Sequence, residues 1–304
     1  MHMSRSGSRA STPTPADPDV SRFALWVEAA RPKTITASVV PVLVGTAVAS
    51  NFHPWRALAA MVVSLGMQIA VNFANDYFDA VKGVDSPDRV GPRRLTAAGL
   101  ISPGAMKRAT AIALGAAIAA GLWLSVVVGY ELLILGVLCV AAALAYSGGP
   151  RPYASWGGGE LFVFAFFGVV ATAGSGYVQD ETLSLLSLAA SVPIGLLAAA
   201  ILEVNNLRDI STDAAAGKRT LAVRLGAKKT RALFLVLVVG ALVSIPVVAF
   251  AKGSWMPLLA LAAAPLAAKA CITVMTRQGA VLNPALGETS RSLLLVGLVL
   301  AATT

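Results

Sequence analysis

The stretch VNFANDYFDAVKGVD, from Val71 to Asp85, decides the fold class. It follows an uncharged apolar run, residues 58–70, and then brings amides, carboxylates and a lysine together within about four helical turns. A second stretch of this kind, EVNNLRDISTDAAAGKRT, covers Glu203 to Thr220 and also follows an uncharged apolar run. Ionisable residues at the ends of long apolar helices are costly and usually functional, so the two clusters predict a site at one face of a membrane protein.

The composition supports this interpretation. Of the 304 residues, 57% are hydrophobic and only 13% are charged, whereas soluble domains carry about 25% charged residues. The apolar runs are continuous and do not alternate, which favours an all-α integral membrane protein in a lipid bilayer over a β-barrel. The net charge of +9 lies in short connections between apolar runs, so no nucleic-acid partner is expected.

The apolar runs predict nine transmembrane helices after an N-terminal segment. We expect residues 1–19 to be disordered, residues 20–304 to form the transmembrane domain, and residues 20–31 within it to form an interfacial amphipathic helix. The predicted spans are residues 35–50, 57–78, 109–129, 131–146, 159–178, 183–206, 232–251, 255–275 and 282–302. Most of the 24 Lys and Arg residues fall in alternate connections, which places the N-terminus and both clusters in the cytoplasm.

Helical spacing predicts that each cluster points carboxylates and amides in one direction. The residues concerned are Asn72, Asn75, Asp76 and Asp79 in the first cluster and Asn205, Asn206, Asp209 and Asp213 in the second. Carboxylates this close repel each other in a low dielectric, and a divalent cation relieves the repulsion. Oxygen ligands favour Mg2+, which keeps positions open for phosphate oxygens. With Arg208, Lys218 and Arg224 to take the remaining charge, the pattern predicts a diphosphate site.

The same residues allow two other interpretations. Residues at helix ends can simply contact water, but this explains a single aspartate better than two similar clusters. A membrane transporter would also carry charges in its helices, yet its site is expected near the bilayer midplane and not at the cytoplasmic end.

Several segments resemble the UbiA superfamily of intramembrane aromatic prenyltransferases. The paired signatures are NDYFDAVKGVD (75–85) and NNLRDISTDAAAGKRTLAVRLG (205–226). The branch that acts on 1,4-dihydroxy-2-naphthoate is indicated by RPKTITASVVPVLVGTAVA (31–49), YSGGPRPYASWGGGE (146–160) and NPALGETSR (283–291).

The resemblance implies nine transmembrane helices around a central cavity with a cytoplasmic cap, in a bacterial plasma membrane. It implies transfer of a polyprenyl group from polyprenyl diphosphate to 1,4-dihydroxy-2-naphthoate with loss of CO2 and diphosphate, giving demethylmenaquinone. The alternative within the family is another aromatic acceptor, such as 4-hydroxybenzoate, haem or homogentisate.

The resemblance also implies roles for individual residues. The metal ligands would be Asp76, Asp79, Asp85, Asp209 and Asp213, and four of these, Asp76, Asp79, Asp209 and Asp213, would be catalytic together with Lys218. The diphosphate would be bound by Asn72, Asn75, Lys82, Asn205, Asn206, Arg208, Lys218 and Arg224. The aromatic substrate would contact Arg151, Tyr146, Tyr153, Arg31 and Lys33, although Arg151 could instead only set the membrane orientation.

Overall fold

A computed structural model describes residues 21–83, 91, 93–149 and 152–304. Within these ranges the protein is helical and contains no β-strand, which confirms the all-α prediction. The helices are α1 (Arg22–Ala30), α2 (Pro32–Ala47), α3 (Pro54–Lys82), α4 (Pro103–Val127), α5 (Glu131–Ser147), α6 (Gly159–Asp180), α7 (Leu185–Arg208), α8 (Ile210–Ala215), α9 (Leu221–Lys252), α10 (Met256–Thr276) and α11 (Gly279–Thr303).

Each predicted span corresponds to one of these helices. Among the described residues, seven helices are long and apolar enough to cross a membrane: α3, α4, α6, α7, α9, α10 and α11. The remaining two candidates, α2 and α5, have 16 and 17 residues, fewer than the ~20 that a transmembrane helix usually needs. The count of nine crossings stays a prediction, whereas the multi-pass architecture is established.

Proline and glycine set the helix boundaries that matter for the site. Pro32 and Pro54 occupy first-turn positions of α2 and α3, where the missing N–H has no helical partner to lose. Gly83 ends α3 in the left-handed region, with φ of 63°. The first polar cluster therefore occupies the last turns of α3, and the second cluster begins in the last turns of α7.

Helix α7 is the most buried of the apolar helices and packs against α6 and α9. Gly168 of α6 and Gly195 of α7 meet so closely that a Cβ on Gly195 would lie 2.8 Å from the Gly168 Cα. Small residues permit this approach of two helix backbones within a membrane. The main apolar cluster, which includes Ile194, Leu197 and Phe234, continues from this contact and holds the end of α7 in place.

The end of the bundle opposite the polar clusters is closed by a second group of polar contacts. The Asp180 carboxylate accepts hydrogen bonds from the backbone amides of Ser50 and Asn51 at 2.8 and 2.9 Å. Arg56 donates to the Val178 carbonyl and forms an ion pair with Glu181 at 2.8 Å. These contacts tie the α2–α3 connection to the end of α6.

Candidate active site

A cavity of about 720 Å³ opens at the end of the bundle where both polar clusters lie. Its walls come from the first turn of α2, the last turns of α3, α5 and α7, and the connections that follow α3 and α8. Twelve of the predicted site residues line it: Arg31, Lys33, Asn75, Asp79, Lys82, Tyr146, Asn205, Asn206, Arg208, Asp209, Asp213 and Lys218. The structure thus brings two clusters that are distant in sequence into one site.

The contact that joins the clusters is an ion pair across the cavity. The Lys218 Nζ lies 3.0 Å from the Asp79 Oδ2, and the Arg94 Nη2 lies 2.7 Å from the same oxygen. Asp79 is 5% exposed, so its charge is held by these two cations in a largely water-free place. Asp79 therefore stands at the junction of three chain segments.

The turn after α8 determines how Lys218 reaches Asp79. The Lys218 amide donates to the Asp213 carbonyl at 2.8 Å, which closes the end of α8. Gly217 adopts φ of 73°, a left-handed conformation that favours glycine, and this turns the chain back toward α3. The second cluster thereby contributes a cation to the first.

Asp209 has its own buried cation. The Arg208 Nε and Nη2 donate to the two carboxylate oxygens of Asp209 at 2.9 and 2.7 Å, and the Arg208 Nη1 donates to the Asn283 side-chain oxygen at 3.0 Å. Arg208 and Asp209 are 3% and 6% exposed. The pair fixes the end of α7 against the start of α11.

The polar residues of α3 that were predicted to point in one direction point in two. Adjacent residues on an α-helix point about 100° apart, and on α3 Asn75 faces the cavity whereas Asp76 does not. Asn75 and Asp79 line it, whereas Asn72 donates to the Ala30 carbonyl at 2.9 Å. Asp76 accepts hydrogen bonds from the backbone amides of Leu95 and Thr96. Neither Asn72 nor Asp76 lines the cavity. Diphosphate binding by Asn72 and metal binding by Asp76 therefore stay predictions, and this placement does not support them.

Hydrogen bonds orient the side-chain amides of the second cluster. The Asn206 Nδ2 donates to the Glu160 Oε1 at 2.6 Å, and the Asn205 Nδ2 donates to the Ile201 carbonyl at 3.2 Å. Glu203 is fully buried beside Glu160 and does not line the cavity. The wall at α7 therefore consists of two oriented amides with carboxyl groups behind them.

Two of the residues predicted to contact the aromatic substrate, Arg31 and Lys33, lie where α1 meets α2. Arg31 joins these helices with φ of 55°, an uncommon left-handed conformation for a non-glycine residue, and lines the cavity with Lys33. Tyr146 also lines the cavity, and its ring meets that of Tyr153 edge to face at a centroid distance of 5.3 Å.

Tyr153 lies behind Tyr146 and stacks on Phe162 at 4.1 Å. Burial raises the pKa of the Tyr153 phenol well above its ordinary value, so this group stays neutral. It does not line the cavity, and its position supports Tyr146 from behind.

Two further predicted residues have structural partners, and two lie outside the described ranges. Lys82 lines the cavity but donates to the carbonyls of Ser147 and Gly149, at 2.9 and 3.2 Å, which ties the end of α3 to α5. The Arg224 Nε donates to the Arg219 carbonyl, and Arg224 does not line the cavity. Asp85 and Arg151 lie outside the described residues, as does the segment 1–19.

Sequence reasoning missed three residues that shape the site: Arg94, Glu160 and Asn283. Arg94 looked like one of several loop cations that set membrane orientation, and only its ion pair with Asp79 distinguishes it. Glu160 and Asn283 stand in the segments that carry the family resemblance, which was the available signal.

The donor set at the cavity suits a hard divalent cation. Asp79, Asp209 and Asp213 present carboxylate oxygens there and Asn75 and Asn205 present amides, with no His or Cys among the described lining residues. Across the described ranges, no three acidic, His or Cys side chains converge closely enough to form a ready-made metal site. Arg94 and Lys218 both contact the Asp79 Oδ2, and Arg208 contacts both carboxylate oxygens of Asp209, so a metal at Asp209 competes with this ion pair.

Comparison with known proteins identifies the family to which this chain belongs. Residues 38–282 match the UbiA prenyltransferase family, which covers most of the chain and both polar clusters. The chain belongs to the UbiA prenyltransferase family. Its all-helical architecture is therefore that of a UbiA-type membrane protein.

Relatives within the UbiA family are similar along nearly their whole length. The chain is 42% identical to a 1,4-dihydroxy-2-naphthoate octaprenyltransferase of Mycobacterium tuberculosis over 93% of this chain and 97% of the relative. It is 40% identical to a protein of that name from Escherichia coli, over 92% and 94%.

Solved UbiA structures share the fold at lower sequence identity. The apo structure of a UbiA homologue from Aeropyrum pernix K1 superposes with a TM-score of 0.66 at 18% identity, covering 92% of this chain and 98% of that one. A UbiA homologue from Archaeoglobus fulgidus, bound to GPP and Mg2+, has a TM-score of 0.62 at 15% identity, covering 91% and 99%.

The buried pair of Arg208 and Asp209 leads to a stability prediction. Replacing Arg208 with Ala leaves the Asp209 charge uncompensated and is expected to lower the free energy of unfolding by about 3 kcal/mol. Arg93→Ala is the control, because Arg93 and its partner Glu28 are 49% and 37% exposed, and a change of under about 1 kcal/mol is expected there. Denaturation of both variants in detergent measures the difference; equal losses would contradict the role given to the buried pair.

Proposed function

We infer that this protein is an intramembrane prenyltransferase that joins 1,4-dihydroxy-2-naphthoate to a polyprenyl group taken from polyprenyl diphosphate. The products are CO2, diphosphate and demethylmenaquinol, the reduced form of demethylmenaquinone, which is an intermediate of menaquinone biosynthesis. The observation that carries the proposal is the meeting of Asp79 and Lys218, from the two polar clusters, in one buried cavity. Relatives at 35–42% identity that bear this activity in their names support the choice of acceptor.

The polar end of the cavity is proposed to bind the diphosphate. Asp79, Asp209 and Asp213 would hold Mg2+, with Asn75 and Asn205 beside them. A bound Mg2+ would supply charge neutralisation that makes diphosphate a better leaving group. Three cations, Arg94, Arg208 and Lys218, are each paired with a carboxylate in the structure. They are proposed to turn their N–H donors toward phosphate oxygens when the diphosphate binds.

The bond changes follow from the substrates. The bond between the prenyl carbon and the diphosphate oxygen breaks, and its electron pair leaves with diphosphate. The electron-rich naphthoate ring forms the new carbon–carbon bond, and its carboxylate leaves as CO2 while that bond's electrons return to the ring. Ile201, Leu202 and Leu286 supply apolar wall that keeps water from the allylic cation.

The acceptor is proposed to bind beside Arg31, Lys33 and Tyr146. Its carboxylate requires a cation, and the Arg31 guanidinium can form two parallel hydrogen bonds with it. The Tyr146 ring, backed by Tyr153, offers a flat surface for the naphthalene ring. With the N-terminus and the cavity in the cytoplasm, as the distribution of Lys and Arg indicates, both substrates enter from that side.

The choice of acceptor is tested by product formation in detergent. Purified protein is incubated with one labelled polyprenyl diphosphate and, separately, with 1,4-dihydroxy-2-naphthoate, 4-hydroxybenzoate, homogentisate and haem. We expect prenylated product and CO2 release only with the naphthoate. Faster turnover of another acceptor would replace the proposed substrate, and no product with any acceptor would leave a transporter as the better hypothesis.

The metal and diphosphate assignment is tested by removing one carboxylate charge. Asp79→Asn and Asp209→Asn are each expected to lower kcat about a thousandfold, since charge stabilisation of the leaving diphosphate is lost. Chelation with EDTA should stop wild-type turnover and added Mg2+ should restore it. Asp180→Asn, at the opposite end of the bundle, is the matched control and should retain full turnover. Undiminished turnover after chelation would remove the metal from the proposal.

The carboxylate-binding role of Arg31 is tested with two acceptors. Arg31→Gln is expected to raise KM for 1,4-dihydroxy-2-naphthoate about tenfold, the effect of losing a charge-assisted hydrogen bond, and to leave KM for the diphosphate unchanged. The analogue 1,4-dihydroxynaphthalene has no carboxylate, so its KM should not change. Equal effects on both acceptors would show that Arg31 shapes the cavity without binding the carboxylate.

A further inference from the structure

One conspicuous acid of the first cluster, Asp76, has no part in the cavity described above. It is 3% exposed, and its two carboxylate oxygens accept hydrogen bonds from consecutive backbone amides, those of Leu95 at 3.1 Å and Thr96 at 2.9 Å. A carboxylate that receives two backbone N–H groups is already well satisfied. Its contacts are those of an anchor for the chain that follows α3.

The anchored turn is compact and packs into an apolar cluster through Leu95, Leu100 and Ile101. The Leu100 amide donates to the Leu95 carbonyl at 2.9 Å and the Ala98 amide donates to the Arg94 carbonyl at 2.9 Å, which closes the turn. Leu95 is fully buried against Ala29 and Phe73. Asp76 and Leu95 together therefore hold this turn against α3.

The residue just before the anchored amides is Arg94. Its Nη2 lies 2.7 Å from the Asp79 Oδ2, at the cavity wall. Arg94 is 5% exposed, so the position of its guanidinium depends on where the turn is held. Asp76 and Asp79 are one helical turn apart on α3. Asp76 binds backbone amides of the segment that follows α3, and Asp79 binds the Arg94 side chain of the same segment.

We propose that Asp76 is a positioning residue for prenyl diphosphate binding, which acts by holding the Leu95–Thr96 amides so that Arg94 stands at the diphosphate end of the cavity. This inference rests on the proposed function, because Arg94 is taken there as a diphosphate ligand. It differs from the sequence-based expectation for Asp76, since a positioning residue has no direct bond to the metal. Asp76 and Asp79, three residues apart in one motif, then perform different tasks.

The anchor itself is tested without substrate. Hydrogen exchange of the Leu95 and Thr96 amides is measured in detergent for wild type, Asp76→Ala, Asp76→Asn and Asp180→Asn. Asp76→Ala should speed exchange of both amides about tenfold or more, because their acceptor is gone, and Asp76→Asn should fall between Ala and wild type. Asp180→Asn removes the corresponding clamp at the other end and should leave these amides unchanged. Unaltered exchange in Asp76→Ala overturns the proposal.

The positioning role is tested by equilibrium binding of a polyprenyl diphosphate over a range of Mg2+ concentrations. Asp76→Ala should weaken binding about tenfold, as expected when one charged donor is misplaced, and the Mg2+ concentration for half-maximal binding should stay within about twofold of wild type. Asp209→Asn is the comparison, because loss of a metal ligand shifts the Mg2+ requirement. An equal shift in Asp76→Ala would make Asp76 a metal ligand and overturn the proposal.

A double-mutant cycle separates positioning of Arg94 from a general structural effect. In an Arg94→Gln background, Asp76→Ala should change diphosphate affinity by less than about twofold, because the residue through which it acts is gone. The same loss in both backgrounds would overturn the positioning role. If wild type binds no prenyl diphosphate at all, the proposed function fails, while the exchange experiment still decides whether Asp76 is the anchor.

Discussion

Burial of carboxylates beside a membrane is the constraint on which this structure depends. Asp79 and Asp209 are almost fully enclosed, and charge in such a place must be matched at close range. The matching cations come from Arg94, Lys218 and Arg208, on three separate segments. The cations that stabilise the buried carboxylates therefore bring three chain segments together, and these segments form walls of the cavity.

The site is assembled from cations and carboxylates that already satisfy each other. A diphosphate with a divalent metal brings both charge signs at once, so it can take over both sets of partners without leaving a buried charge alone. This exchange suits a substrate whose polar head is strongly anionic and whose tail is apolar. It also explains how oxygen donors chemically suited to Mg2+ coexist with internal ion pairs at Asp79 and Asp209.

The carboxylates of the bundle fall into two groups that differ in the kind of hydrogen-bond donor they bind. Asp180 and Asp76 each accept two consecutive backbone amides, and each ties a connection to a helix end. Asp79 and Asp209 instead meet side-chain cations at the cavity. Backbone amides are fixed donors that favour a permanent contact, whereas Arg and Lys side chains can rotate to a ligand. The type of partner thus distinguishes acids held by fixed backbone donors from acids paired with side chains that can rotate.

The sequence by itself determined the membrane class, the helices, the two polar clusters and the family, because each of these depends on local composition, spacing or motif. It also placed Asp79, Asp209 and Lys218 in one site through the resemblance of the paired motifs. Only the tertiary structure decided which neighbour on α3 faces the cavity, since Asn75 and Asp76 are equally polar and differ only in direction. It alone showed that Arg94 lines the cavity and Arg224 does not, because a loop cation has no periodicity from which its partner can be inferred. Contacts between segments distant in sequence depend on packing of the whole bundle, and that packing is what local pattern does not contain.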